Sequence, residues 1–224
     1  MAKDDEMKES ESGNGVPPLF SQSKDTPIGF FDPDEPVANL TGNLPHWRQD
    51  NTTYFVTFRL ADSLPRERLE QWQAEKDQWL KAHPKSLTRQ QKVEFYRLFP
   101  EHMQKWLDAG HGSCILARPD LRQLVSGALR YFHGKRYHLD EYVVAANHVH
   151  VIVTPAPENE LSSVLHSWKS YTSHEINKRL GRSGEIWQKE SFDHIVRSEE
   201  SLVKFREYIQ SHMGKNSGET PLPP

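Results

Sequence analysis

The chain has 224 residues, of which 35% are hydrophobic, a formal charge of -3 at pH 7 and a mean hydropathy of -0.78. This composition excludes a helical membrane span, because no stretch approaches the roughly 18 consecutive apolar residues that one needs. The single cysteine, Cys114, excludes an internal disulfide and a multi-cysteine zinc site. We therefore expect a cytoplasmic protein without a membrane segment.

Charge is unevenly distributed along the chain. Of the 28 basic and 31 acidic residues, three and nine lie in 1–44, which leaves 25 and 22 in 45–224. The acidic front, rich in Pro, Gly and Ser, predicts a disordered tail over 1–44. The mildly basic remainder predicts a folded domain over 45–213 and a flexible tail over 214–224. A mild positive balance is compatible with a nucleic-acid partner but does not indicate one by itself.

Hydrophobic periodicity predicts the elements of the domain in chain order. Helix 161–180 places Tyr171 on its apolar side, and Gly181 is suited to its C-cap. The predicted elements are a strand over 53–60, helices over 65–81 and 87–107 with a break at Pro100, a helix over 119–132, strands over 139–145 and 149–154, the helix over 161–180, a strand over 192–196 and a helix over 198–213.

The order of these elements predicts an α+β fold. Without a helical insertion over 63–111, after the first strand, the order is β-α-β-β-α-β followed by a C-terminal helix. That order is typical of the ferredoxin-like, or RRM-like, antiparallel sheet. The insertion carries its own aromatic stripe, and its pattern fits both a helical hairpin packed on the sheet and a clamp for DNA.

Two groups of residues could carry chemistry. His148 and His150 are two apart on a strand, so their imidazoles share one face and could bind one cation. Tyr208 and His212 are four apart on the last helix and share one helical face. Each group also fits an ordinary structural role, as strand histidines or as a packing stripe. If they meet, the cation could polarise a phosphodiester and the phenol could attack it.

The spaced motifs resemble a known family. The segment Asn147–Pro155 resembles the His-hydrophobic-His signature of the single-tyrosine HUH transposases. Gly184–Arg197 resembles the segment before that family's catalytic helix, and Arg206–Ile209 resembles the helix that carries its nucleophile. The most similar branch is that of the REP-associated tyrosine transposases, within the IS200-like group. The resembling segments occur in the same order as in the family and span about residues 43–213.

The resemblance implies a function and a site. Tyr208 corresponds to the nucleophile, and His148 and His150 correspond to metal ligands. His212 stands where the family often has Gln or Asn as a third ligand. The implied activity is metal-dependent nicking and rejoining of single-stranded DNA, often with hairpins, through a 5′-phosphotyrosine in transposition of mobile or REP-type palindromic elements. The implied ion is Mg²⁺ or Mn²⁺, of which Mn²⁺ suits imidazole better. The implied assembly, monomer or homodimer, stays open.

Further aromatic and basic residues are candidates for contacting DNA, because aromatics stack on unpaired bases and cations bind phosphates. Each of them could instead be a surface charge or a core aromatic. The candidates are Trp47, Arg48, Lys169, Arg179, Arg182, Trp187, Lys189 and Arg197.

The sequence also departs from the family pattern. Ala145-Ala146 replaces its Met-Pro, and Ser211–Lys215 replaces its Asn-Pro and Lys-Ala-Gly. These departures keep open a domesticated, non-catalytic binder of structured single-stranded nucleic acid. A relaxase or replication initiator ranks lower, because only Tyr208 is well placed as a nucleophile. An unrelated metal-binding protein is the remaining alternative, and it predicts no approach of Tyr208 to the histidine pair.

Overall fold

The computed structural model describes residues 28–36, 38–40, 46–83, 88–98, 106 and 109–216. None of the helices in these ranges is both long and apolar enough to cross a bilayer. The elements are β1 (Ala38–Leu40), β2 (His46–Arg48), β3 (Tyr54–Arg59), α1 (Arg66–Ala82), α2 (Arg89–Leu98), α3 (Pro119–Tyr131), β4 (Tyr137–Val144), β5 (His148–Pro155), α4 (Leu161–Leu180), β6 (Phe192–Ile195) and α5 (Glu199–Asn216).

The central feature is one antiparallel sheet of strand order β4-β5-β3-β6. Helix α3 precedes β4, and α4 connects β5 to β6. With α1 and α2 counted as an insertion, the order is β-α-β-β-α-β followed by α5. The predicted ferredoxin-like α+β fold is therefore confirmed, including the helical insertion after the first strand of the sheet.

The two faces of the sheet are covered by different helices because side chains alternate along each strand. Val56 and Phe58 of β3 pack with α3 and α4, whereas Phe55 packs against α5. Strand β5 is buried along its whole length, since it lies in the middle of the sheet and is covered on both faces. Each buried Val or Leu of this core contributes about 1.5–3 kcal/mol by leaving water.

Local sequence signals fix the end of α4 and the start of α5. Gly181 ends α4 with φ of 60°, a left-handed conformation that glycine adopts without steric cost. At the start of α5 the backbone N–H of Ser201 donates to Oγ of Ser198 at 3.2 Å. Glu199 and Glu200 add acidic groups at the positive end of the helix dipole. The start of α5 is therefore anchored two to three turns before Tyr208.

The insertion packs on the edge of the sheet. Trp72 of α1 is buried, and its ring lies 6.0 Å from that of Phe192 in β6, centroid to centroid. Leu64 and Phe95 complete the small apolar cluster that this contact forms. The predicted helix over 87–107 is present as Arg89–Leu98, while residues 99–105 lie outside the described part. The described part of the insertion thus contacts the sheet through its aromatic stripe.

Residues before the predicted boundary at residue 45 form hydrogen bonds with the domain. The N–H of Phe31 donates to the carbonyl of Val196, and that of Thr53 donates to the carbonyl of Gly29. A Cβ at Gly29 would lie 1.5 Å from the carbonyl oxygen of Asn51, so only glycine fits there. Strand β1 pairs with β2. Most of the predicted tail, 1–27 with 37 and 41–44, lies outside the described residues, as does the C-terminal segment 217–224.

Candidate functional site

Three buried histidines converge on one side of the sheet. His148 and His150 project from the same face of β5, and His212 reaches them from α5, which packs over that face. One nitrogen from each ring lies within 4.8 Å of the corresponding nitrogens of the others. Within the described part of the chain they form a group that could hold a metal ion.

Hydrogen bonds orient the three rings. Nδ1 of His148 donates to Oδ1 of Asn147 at 2.7 Å, and Nδ1 of His212 donates to the Tyr208 carbonyl at 2.9 Å. The amide of Asn147 is itself oriented, because its Nδ2 donates to the carbonyl of His111. Both imidazoles therefore carry the proton on Nδ1 and present Nε2 as the ligand nitrogen.

The third ring, that of His150, is held from β3. Nδ1 of His150 lies 2.8 Å from Oγ1 of Thr57, its directly opposite residue in the sheet. Burial, with a smaller effect from the neighbouring His148 and His212, lowers the pKa of His150 well below its ordinary value of 6.5. The ring is thus neutral at neutral pH, as a metal ligand must be.

Tyr208 lies beside this group. Its ring centroid is 5.2 Å from that of His150 and 4.4 Å from that of His212, and its hydroxyl oxygen is buried. The i, i+4 spacing on α5 places Tyr208 and His212 on the same side of the helix. One chain therefore supplies all four side chains, and the histidine pair of β5 meets the Tyr208–His212 pair of α5.

An aromatic wall borders the site. The ring of Phe55 stacks on that of Phe205 of α5 at 4.5 Å and lies 5.6 Å from that of His150. His194 is half-buried on the same side, and its ring lies 6.5 Å from that of Phe205, centroid to centroid. This apolar surround lowers the local dielectric, so a charge placed among the histidines interacts strongly with its neighbours.

Sequence reasoning missed the two residues that orient the histidines. Asn147 directly precedes His148, so its position in the motif was a usable signal. Thr57 carried no such signal, because it lies 93 residues away from His150 along the chain. Its role follows only from the strand register, which pairs Thr57 with His150.

Four of the predicted DNA-contacting residues are exposed, and they lie at the end of α4 and in the loops around β6. They are Arg179, Arg182, Lys189 and Arg197. Arg48 is instead paired with Asp193, whose carboxylate is almost fully buried. Trp47 belongs to β2, and its side chain is outside the described part of the structure.

Two further candidates, Trp187 and Lys169, form hydrogen bonds within the protein. Trp187 is 5% exposed, and its Nε1 donates to Oγ1 of Thr172 at 2.8 Å, so it is a core residue and does not present a surface for stacking. Lys169 donates from Nζ to the carbonyls of Gln188 and Lys189 at 3.0 and 3.1 Å. Burial is the main reason that the pKa of Lys169 falls to about 8.

A groove of about 680 Å³ between α3 and α4 is separate from the histidines. Leu124, Ala128, Tyr131, Trp168 and Tyr171 are among its lining residues. These helices cover the opposite face of the sheet from α5, so the groove does not open onto the histidine group. Tyr171 is 54% exposed there, which corrects its predicted place on the apolar side of the helix.

Comparison with known proteins finds a family match over part of the chain. Residues 117–212 match the family model described as transposase IS200 like. A structure of a REP-associated tyrosine transposase bound to a REP hairpin is 16% identical, with 78% of this chain and 75% of that chain covered at a TM-score of 0.41. A candidate transposase from Deinococcus radiodurans is 10% identical, with 71% and 89% covered at a TM-score of 0.38. No curated protein matches the chain.

Proposed function

Residues 117–212 match the family model of IS200-like transposases, and on that premise we propose that this protein nicks and rejoins single-stranded DNA through a covalent link to Tyr208. The observation that carries the proposal is the approach of the Tyr208 ring to within 5.2 Å of His150, centroid to centroid, inside a group of three histidines. A nucleophile placed beside a cation site is the arrangement that phosphodiester transfer requires.

The proposed step balances as a transesterification. The Tyr208 oxygen attacks the phosphorus, so a Tyr208 O–P bond forms and the P–O3′ bond breaks. The 5′ phosphate stays on Tyr208. The phenol proton passes to solvent, and the leaving 3′ oxygen takes a proton from solvent and ends as a hydroxyl. Since one phosphodiester replaces another, the step is reversible, and a 3′ hydroxyl can attack the link to rejoin the strand.

The donor set fits a divalent cation. His148, His150 and His212 would hold it through neutral imidazoles, two of which already present Nε2. A bound cation would act as a Lewis acid on a phosphate oxygen and offset the charge that develops there. Three imidazoles favour Mn²⁺ over Mg²⁺, which prefers oxygen ligands.

The proposed substrate is single-stranded DNA, including hairpins. The exposed cations Arg179, Arg182, Lys189 and Arg197 would bind its phosphates. Trp187 is left out of this set because it is buried. We further propose that Trp47 contacts bases and that Arg48 and Lys169 contact phosphates, as the sequence indicated.

The decisive experiment uses Tyr208→Phe. The protein is incubated with Mn²⁺ and a single-stranded hairpin oligonucleotide taken from beside its own gene, and denaturing gels are used to look for a protein–DNA adduct. We expect an adduct with the wild type and with Tyr171→Phe, a matched control on an exposed tyrosine. We expect none with Tyr208→Phe, which should retain hairpin binding. Adduct formation by Tyr208→Phe would refute the assignment.

The alternative, a non-catalytic binder, rests on the unusual Ser211–Lys215 segment. It predicts hairpin binding without any adduct, in Mg²⁺ or in Mn²⁺, for the wild type itself. The position of His212 within the histidine group favours the catalytic proposal, because a binder has no need of a third ligand.

A further inference from the structure

Strand β4 contains a bulge beside the helix that carries Tyr208. Leu139 pairs with Val153 and Tyr142 pairs with Val151, so two residues of β4, Asp140 and Glu141, stand opposite one residue of β5. An extra residue of this kind bends the strand and redirects its side chains. Since β4 is an edge strand of the sheet, the bend disturbs the hydrogen bonds with one neighbouring strand, β5.

Both bulge residues contact α5. Nε and Nη2 of Arg206 donate to Oδ2 of Asp140 at 2.9 and 2.8 Å. Nε2 of Gln210 donates to Oε1 of Glu141 at a longer 3.4 Å. Arg206 and Gln210 are one helical turn apart, and Tyr208 lies between them in the sequence.

We propose that this bulge is the docking point that sets the position of α5, and thereby places Tyr208 and His212 against the histidines of β5. Asp140 and Arg206 are positioning residues in this proposal, since neither belongs to the histidine group. The proposal rests on the proposed function for the reaction that it serves, but the placement of the helix can be measured without that reaction.

Apolar packing alone would fix this placement less sharply. Leu202 and Ile209 of α5 are buried against the sheet and hold the helix at its depth. Such contacts are non-directional, so they tolerate small rotation and sliding of the helix. Hydrogen bonds are directional, and a two-nitrogen contact from one guanidinium adds geometric specificity. The Asp140–Arg206 contact therefore restricts the motions that apolar packing permits.

The exposure of this ion pair separates positioning from stability. The side chains of Arg206 and Asp140 are 34% and 19% exposed, so solvent screens their attraction. Ion pairs in such surroundings contribute little to global stability. Misplacement of a reacting group by about 1 Å, in contrast, can lower a rate on the order of a hundredfold. Breaking the pair should therefore slow adduct formation far more than it lowers the melting temperature.

The test compares three variants with the wild type. Asp140→Asn combined with Arg206→Met, called the Asn/Met variant, removes the charge contact. Asp140→Arg combined with Arg206→Asp, called the reversed pair, restores the contact with the charges exchanged. Lys204→Met is the matched control, because it breaks an ion pair of 2.6 Å with Glu200 that lies wholly on the exposed side of α5. Each variant is measured for the single-turnover rate of adduct formation with Mn²⁺, for hairpin affinity, and for amide hydrogen exchange over residues 206–212.

We expect the Asn/Met variant to form adduct about ten- to a hundredfold more slowly, with hairpin affinity unchanged and faster exchange in α5. The reversed pair should recover part of the rate, and Lys204→Met should match the wild type. A wild-type rate and wild-type exchange in the Asn/Met variant would overturn the proposal. So would a faster rate, since the contact would then restrain a helix that must move.

Hydrogen exchange keeps this test separate from that of the proposed function. If the wild type forms no adduct, the proposed function fails, while protection of residues 206–212 that is lost in the Asn/Met variant still supports the docking role. If the adduct forms at the same rate in all variants and the exchange is unchanged, the proposed function stands and the docking role fails.

Discussion

Thr57 Oγ1 lies 2.8 Å from Nδ1 of His150, and both side chains are buried. The two residues are directly opposite each other on neighbouring strands, so the register of the sheet itself places the hydroxyl. A partner on Nδ1 orients the ring and leaves Nε2 to act as a ligand, as partners of metal-binding histidines generally do.

Replacing this hydroxyl should weaken metal binding. In Thr57→Val the side chain keeps its size but loses its bond to His150, so we expect Mn²⁺ affinity to fall by about 10- to 100-fold. Isothermal titration with Mn²⁺ measures it. Thr53→Val is the matched control, because its hydroxyl is bonded to Thr154 at 2.8 Å. Equal affinities in the two variants would contradict the role given to Thr57.

His212 should contribute the third ligand. His212→Ala removes a ring nitrogen from the group, so we expect weaker Mn²⁺ binding, whereas His212→Gln should retain part of it through an amide oxygen. Electron paramagnetic resonance of added Mn²⁺ follows both. His166→Ala, an exposed histidine of α4, is the control and should bind like the wild type. Unchanged binding in His212→Ala would limit the site to the two strand histidines.

Trp187 should matter for stability and not for DNA contact. Trp187→Ala empties a core position and removes a bond to Thr172, so we expect the free energy of unfolding to fall by about 3–5 kcal/mol. Urea denaturation measures this loss, and Trp187→Phe should recover part of it. A Trp187→Ala protein with wild-type stability but reduced hairpin affinity would restore the base-stacking interpretation.

Lys169 should give stability a dependence on alkaline pH. Its pKa in the fold is about 8, below the ordinary 10.5, so the unfolded chain binds more protons between these values. The free energy of unfolding therefore rises with pH across this window through this group. We expect the free energy of unfolding of the wild type to rise relative to that of Lys169→Met from pH 7.5 to pH 10, as measured in urea titrations. A constant difference would mean that Lys169 titrates as it does in water.

The strongly periodic parts of the fold could be predicted from the sequence. Helix α4 has the predicted bounds, Leu161–Leu180, because its apolar spacing runs without interruption into Gly181. His148 and His150 share a face because strand geometry alone requires it. The approach of Tyr208 to that pair, in contrast, depended on the resemblance, since spacing allowed an ordinary packing stripe as well.

The remaining features depend on contacts that local sequence does not encode. Trp187 lies outside any helix or long strand, so no periodicity indicated that it is buried. Tyr171 falls at the border of the apolar stripe of α4, where burial is decided by the neighbouring helix. The bulge at Asp140 and Glu141 is invisible in the pattern, because an extra residue in one strand is recognised only once its partner strand is known.

The supply of all four groups by one polypeptide has a consequence for mixing experiments. Two inactive variants, Tyr208→Phe and His148→Ala, would each lack a different group, and no polypeptide in their mixture would hold a full set. Unless neighbouring molecules exchange α5, a mixture of the two variants cannot restore covalent capture of DNA. The wild-type protein at high dilution should keep its rate of adduct formation per molecule.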